Sequence, residues 1–191
     1  MIKLLRVDDR LIHGQVAVSW TSFIGADTLL VANEKARTDK MMQMAFNMAK
    51  PPQVLLSIKS VAGAAAVINN PKHADRKIFV VTASVEDALE ICKNCPEVKE
   101  ICLGGIRKAE GKKMIERQVY LSEEDLNAVK EIHNLERNVF LQAVPTEKVL
   151  NYDEILKEIA ELPAGFGKVE ILDENRAKLN TSNLRQKFSK D

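Results

Sequence analysis

Arg6-Val7-Asp8-Asp9-Arg10-Leu11-Ile12-His13-Gly14-Gln15-Val16 is the stretch from which the rest of the chain can be read. Ile2-Lys3-Leu4-Leu5, just before it, has the make-up of a strand in a buried sheet, and Gln15 to Thr21 reads as the start of a helix. A strand-to-helix turn that only reversed the chain would favour Gly, Asn and Pro. This one holds two aspartates, two arginines and a histidine. A neutral imidazole is a competent nucleophile toward phosphorus or an acyl carbon. Arg10 adds a planar, permanently charged fork that suits phosphate oxygens. Asp8 or Asp9 can accept a proton from one imidazole nitrogen, fix the tautomer and raise the nucleophilicity of the other. Gly14 allows close backbone approach to an anion, and the amides from Gln15 onward open a helix whose positive end favours negative charge. A turn histidine beside a surface Asp9–Arg10 ion pair would need none of this. The concentration of the whole set in one turn points to chemistry.

Outward from that turn the chain alternates. Thr28 to Ala32 reads as a second apolar strand. Arg37 to Lys50 reads as one helix, with Met41, Met44, Ala45 and Met48 on the face that should join the core. A soft docking surface is the lesser alternative for that methionine stripe. Pro51-Pro52 ends the helix, Val54 to Ile58 is a third strand and Ser60 to Ile68 a helix. Lys77 to Thr82 is a fourth strand, and Ser84 with Asp87 is a weak capping box for a helix ending near Lys93. Glu100 to Leu103 is a fifth strand ending at Gly104-Gly105, and a charged loop follows from Arg107 to Lys113. Gln118 to Leu121 is strand-like, and Ser122 with Asp125 starts a helix that runs to about Leu135. Asn138 to Ala143 is a last strand and Tyr152 to Leu162 a last helix. Short apolar strands separated by helices predict an α/β chain. It should be a single three-layer domain, with a mostly parallel open sheet of about six to seven strands and helices on both faces. Ligands bind outside the carboxyl ends of such strands, which here means His13, Asn33, Ser60, Thr82, Ser84, Gly104-Gly105 and Gln142 to Thr146.

Asp-Asp-Arg-Leu-Ile-His-Gly-Gln-Val, from Asp8 to Val16 and followed by Trp20, resembles a known signature. It is that of the enzyme IIB component of the mannose/fructose/sorbose family of the phosphoenolpyruvate-dependent sugar phosphotransferase system. The likeness continues through Val31-Ala32-Asn33, Lys40-Met41, Met44-Ala45, Pro51-Pro52, Ile58-Lys59-Ser60-Val61, Gly104-Gly105, Gly111-Lys112 and Val144-Pro145-Thr146-Glu147. It covers residues 1 to 162. The resemblance implies a cytoplasmic protein-histidine sugar phosphotransferase, peripherally associated with a membrane permease. His13 would accept phosphate from phospho-IIA, at Nδ1, and donate it to a sugar held by the membrane IIC and IID components. Arg10 would neutralise charge on the transferring group, and Asp9 would orient the imidazole or Arg10. Gly14, Gln15, Ser60 and the loop near Gly105 would contact phosphate. Neither metal nor cofactor is expected, because a phosphohistidine donor and an arginine replace what magnesium does for ATP. Self-association is left open. The expected division is a phosphocarrier domain over 1–162 and a C-terminal extension over 163–191. That extension reads as linker-like at Pro163-Ala164-Gly165-Phe166-Gly167, then a mobile or docked tail.

Composition narrows the field. At 191 residues the chain fits one domain with a tail. Its net charge of +1 provides no global basic field, which argues against nucleic acid as the main partner. No apolar run reaches the roughly 20 residues a membrane span needs. Three cysteines, an odd number, fit a reducing compartment. Cys92 and Cys95 lie near the end of a predicted helix, with only Cys102 as a third ligand, which suits neither zinc nor a thioredoxin-like site. The competing reading is a regulatory or nucleotide-binding α/β module without phosphotransfer. Yet the Rossmann fingerprint is absent, and Gly105 to Lys113 is one residue too long for a P-loop, with Lys113 where Ser or Thr should hold magnesium. Such a module would also leave Asp9, Arg10 and His13 unexplained. His73 and His133 lie in polar segments and read as exposed and inert, and Trp20 reads as a helix-face anchor near the site.

Overall fold

Strand β1 (Ile2–Asp8) is buried along nearly its whole length and lies in the middle of the sheet. The computed structural model describes residues 1–163, apart from the side chains of Gln15 and Val16. After β1 come α1 (Gly14–Phe23), β2 (Thr28–Ala32), α2 (Glu34–Thr38), α3 (Lys40–Ala49), β3 (Leu55–Lys59) and α4 (Val61–Ile68). Then follow β4 (Ile78–Thr82), α5 (Val85–Asn94), β5 (Glu100–Gly105), β6 (Lys113–Glu116), β7 (Val119–Leu121), α6 (Glu123–Asn134), β8 (Asn138–Leu141), β9 (Leu150–Asn151) and α7 (Tyr152–Ala160). Seven strands pair in the order β3-β2-β4-β1-β5-β8-β9, all parallel except β9 against β8. Strands β6 and β7 form a separate antiparallel hairpin.

The two-residue period of a strand sorts side chains into two cores. Leu5 and Val7 of β1 face a core closed by α4, α5, α6 and α7. Leu4 faces the other core, closed by α1, α2 and α3, where Trp20 and Phe46 are buried. Arg6 and Asp8 share the parity of Leu4, so a charged pair is carried beneath α1.

Several expectations change. The single helix read over Arg37 to Lys50 is two helices, because the Asp39 carboxylate accepts from the amides of Met41 and Met42 at 2.9 and 3.1 Å and caps a new start. Helix α3 carries two apolar stripes, Met41-Met44-Met48 and Met42-Phe46-Ala49. Only the second is core: Phe46 is 4% exposed, while Met41, Met44 and Met48 are 81%, 66% and 86% exposed. A buried aromatic ring removes more apolar surface from water than a methionine and is rigid, so it decides which stripe turns inward. Strand β6 starts at the last residue of the charged loop read over Arg107 to Lys113, and β9 is too short to show a period. His133 is half-buried, not exposed, and stacks on Tyr152 of α7 with centroids 3.7 Å apart; His73 is half-buried too. The Ser122–Asp125 capping box forms in both directions.

The two stripes of α3 should separate in stability measurements. Phe46→Ala should cost about 3–4 kcal/mol in urea unfolding. Met44→Ala should stay within about 0.5 kcal/mol of the parent.

Candidate functional site

Strand β1 delivers Arg6 and Asp8 on one face, and the turn after it folds His13 back over them. Asp8 is 1% exposed and holds three groups. Its Oδ1 accepts from the Arg10 amide at 3.2 Å and lies 3.1 Å from Nε2 of His13; its Oδ2 lies 3.2 Å from Nη2 of Arg6. Arg6, 2% exposed, donates from Nη1 to the Gln142 carbonyl and from Nη2 to the Ala143 carbonyl, both at 2.9 Å. Its guanidinium also lies over the Trp20 ring, 5.1 Å from the centroid, and Trp20 Nε1 donates to the same Ala143 carbonyl at 3.0 Å. The pair fits only because β5 ends in two glycines. A Cβ on Gly104 would overlap the Arg6 guanidinium, and one on Gly105 would sit 2.7 Å from Asp8 Oδ2.

Burial alone would raise the Asp8 carboxyl. The His13 hydrogen bond, the charge of Arg6 and the Arg10 amide outweigh it and hold the group below its ordinary value of 3.8. An ionised carboxylate only accepts, so Nε2 of His13 carries a proton, and in the neutral imidazole it is Nδ1 that keeps a lone pair. His13 is also the N-cap of α1, and its side chain caps none of the first amides. Gly14 opens the helix at φ +41°. Leu11 sits at φ +59° with its amide donating to the Asp8 carbonyl at 2.9 Å, a strained turn held by a buried side chain. Arg10 and His13 open on a cleft of about 750 Å³, walled by Ser19, Ser22 and Phe23 of α1, by Gln118, and by Val144 to Thr146. Gln142 shapes that last wall by donating from Nε2 to the carbonyls of Pro145 and Glu147.

Of the two aspartates the sequence leaves open, Asp8 takes the imidazole. Asp9, expected to orient the imidazole or Arg10, turns away instead. Its carboxylate accepts from the Arg107 amide at 2.9 Å and from Arg107 Nε at 3.1 Å, while its own amide donates to Gly105. The physical reason is direction: Asp8 follows the inward parity of β1, and Asp9 is the first residue past it. The exposed side chain of Arg10 lines the cleft, with no hydrogen bond to a described residue. Gly14 is exposed directly after His13 and does not line the cleft; the Gln15 side chain lies outside the described residues. Ser60 is not brought in. It caps α4 through the Gly63 amide at 2.9 Å and follows β3, three strand spacings or roughly 14 Å from β1. Gly105 is buried under Asp8, where it makes room for the carboxylate. Asn33 and Ser84 are helix caps as well. Trp20 is the anchor the sequence suggests. Burial pushes the thiols of Cys92 and Cys102 up to about 12 and about 11, so neither presents a thiolate.

Sequence reasoning passed over Arg6 and Gln118. Arg6 did leave a signal: a charge inside an apolar strand, two residues before an aspartate, has to be buried against a partner. Gln118, at φ +71° in the β6–β7 turn, left none.

The family model of the PTS system sorbose subfamily IIB component matches residues 2–163, and the chain belongs to that family. Membership implies phosphoryl transfer in sugar uptake. A probable phosphotransferase enzyme IIB component of Streptococcus pyogenes serotype M6 is 35% identical over 162 residues, covering 82% of this chain and 99% of that protein. A sorbose-specific EIIB component of Lacticaseibacillus casei is 32% identical over 168 residues, covering 88% of this chain and 99% of that one. The crystal structure of the IIBSor domain of the sorbose permease from Klebsiella pneumoniae superposes with a TM-score of 0.79 at 29% identity, covering 86% of this chain and 99% of that domain. Among the described residues, no helix is long and apolar enough to cross a membrane.

The two aspartates should respond differently to removal. Asp8→Ala leaves the buried Arg6 charge unpaired and should cost about 3–5 kcal/mol. Asp9→Ala breaks a pair whose arginine is 70% exposed and should cost under about 1 kcal/mol. Because the folded carboxyl is lowered, the stability it gives is present above the ordinary carboxyl range and lost as pH falls through the folded value. Asp8→Asn should therefore flatten the acid limb of a urea-midpoint profile.

Proposed function

We propose that this chain is a protein-histidine sugar phosphotransferase, working in the cytoplasm at a membrane permease. His13 accepts a phosphoryl group from a phosphohistidine on IIA and passes it to a sugar presented by IIC and IID. The contact of His13 Nε2 with Asp8 carries this reading, since it leaves Nδ1 as the nitrogen with an available lone pair. Nδ1 attacks phosphorus, a new N–P bond forms, and the donor's N–P bond breaks with its electron pair returning to the donor imidazole. Positive charge grows on the His13 ring as this happens, and it grows against the Asp8 carboxylate. Arg10 meets the equatorial oxygens of the transferring group from the cleft, and the uncapped amides at the start of α1 face the same anion. Donation to the sugar runs the same geometry in reverse, with a sugar hydroxyl as the nucleophile. The sugar belongs to the mannose, fructose, sorbose and amino-sugar group. The nucleotide-binding alternative loses its P-loop mimic, because Lys113 begins a strand rather than a helix.

The deciding experiment is phosphorylation by phospho-IIA. His13→Ala should take up no label, and the wild-type label should be lost in acid and retained in base. Full labelling of the variant at His73 or His133 would remove His13 from the mechanism. Arg10→Lys keeps the charge and loses the fork, so transfer should slow by about 2–4 kcal/mol of barrier while the fold is unchanged.

We also propose that residues 1–162 are the transferring unit and that 163–191 are an extension without a part in the chemistry. The residues given roles here all precede Pro163. Truncation after Leu162 should leave the transfer rate within about threefold, or about 0.7 kcal/mol. A folded truncation that is tenfold slower or worse, about 1.4 kcal/mol, would place the extension in the site or its docking surface.

A further inference from the structure

Helices α1 and α3 pack side by side in the layer over Trp20 and Phe46, and their outer surface is unusual for a helical layer of this domain. Val18 of α1 is 43% exposed, and Met41, Met44 and Met48 of α3 form an outward stripe at 66–86% exposure. Helix α1 has no charged side chain, and α3 has only Lys40. Flanking the stripe along the chain are the cations Lys35, Arg37, Lys40 and Lys50 and the carboxylates Glu34 and Asp39. Both carboxylates are engaged: Glu34 pairs with Arg37 at 3.2 Å, and Asp39 caps the amides of Met41 and Met42. The opposite layer has the other sign. Helices α4 to α7 carry ten carboxylates and three lysines. The helices of the two layers thus carry opposite net charge, and long, flexible apolar side chains stand out from the basic side.

We infer that the outer face of α1 and α3 is a membrane-contact surface, on which Met41, Met44 and Met48 enter the headgroup region of an anionic bilayer while Lys35, Lys40 and Lys50 meet its phosphates. The inference goes beyond the phosphoryl-carrier reading and does not depend on His13. Charge complementarity selects the occupant. A second copy meeting the face across a two-fold axis would set Lys40 against Lys40 or Lys50 with no free carboxylate between them. An extended anionic plane matches the whole basic layer and repels the acidic one, which fixes the orientation. Helix α3 buries Phe46 on one side and turns its methionine stripe outward on the other, the two-faced pattern of an interfacial helix.

The test is co-sedimentation of the full chain with vesicles of phosphatidylglycerol and phosphatidylcholine, and with vesicles of phosphatidylcholine alone. Binding should occur on the anionic vesicles only and should fall at least about fivefold as salt rises from about 50 to about 300 mM. The triple variant Met41→Ser, Met44→Ser, Met48→Ser should bind at least about fivefold more weakly, and Lys40→Glu with Lys50→Glu should abolish binding. The residues after Pro163 are present in every protein compared, so these differences belong to the face. The substituted side chains lie outside the transfer site, so phosphorylation by phospho-IIA in solution should be unchanged and should report intact folding. Equal binding by the triple variant, no binding to anionic lipid, or binding only when permease proteins are in the vesicle would each overturn the inference. So would sedimentation velocity showing self-association that the triple variant abolishes.

Discussion

The buried contact between Arg6 and Asp8 is the constraint that the rest of the site obeys. Two charges placed inside an α/β sheet lose most of their hydration, and their mutual attraction repays that only when the remaining donors and acceptors are also met. The neighbourhood is built to meet them. Two carbonyls at the end of β8 take the Arg6 amino groups, the Trp20 ring covers its face, and two glycines on β5 stand aside. Of the donors in this cluster, Arg6 Nε is left without a hydrogen-bond partner among the described residues. Two apolar side chains would fill the same space at lower risk to stability. They would give His13 nothing to lean on.

The buried charges also set the order of residues along the chain. The charged pair has to sit on the inward parity of β1, so the turn that follows must bend back sharply for His13 to reach it, and Leu11 takes the left-handed conformation that allows the bend. Asp9, one residue later than Asp8, is left on the outside. There it ties the turn to the start of the next basic loop through Arg107, joining two loops at the sheet's carboxyl edge.

Legibility in the sequence followed the same division between local and distant causes. Strands such as Thr28–Ala32 and caps such as Ser122 with Asp125 are written in neighbouring residues, and they form where the pattern places them. The layer order follows from alternating apolar strands and helices. Parity within β1 was also available, and it would have separated Asp8 from Asp9. Gly104-Gly105 looked like a phosphate-facing pair, but its purpose is visible only once β5 lies beside β1. The stripes of α3 were ambiguous for a related reason. Both have helical spacing, and only the sheet beneath determines that Phe46, rather than the methionines, faces it. Gln118 enters the cleft through the turn of a hairpin, and although Gln118 to Leu121 reads as strand-like, nothing local pairs it with β6 or aims the turn at His13.

Trp20 carries a consequence of another kind. It is the sole indole in the chain, fully buried, with its N–H on the Ala143 carbonyl and a guanidinium against its ring. An indole's emission depends on the electric field along its ring, and here the nearest charges are those of Arg6 and, just beyond it, Asp8 and His13. The protein thus holds a built-in optical reporter one contact away from Asp8, the partner of His13. A change of charge on His13 is transmitted through Asp8 and Arg6 to a single chromophore, with no competing tryptophan to dilute the signal.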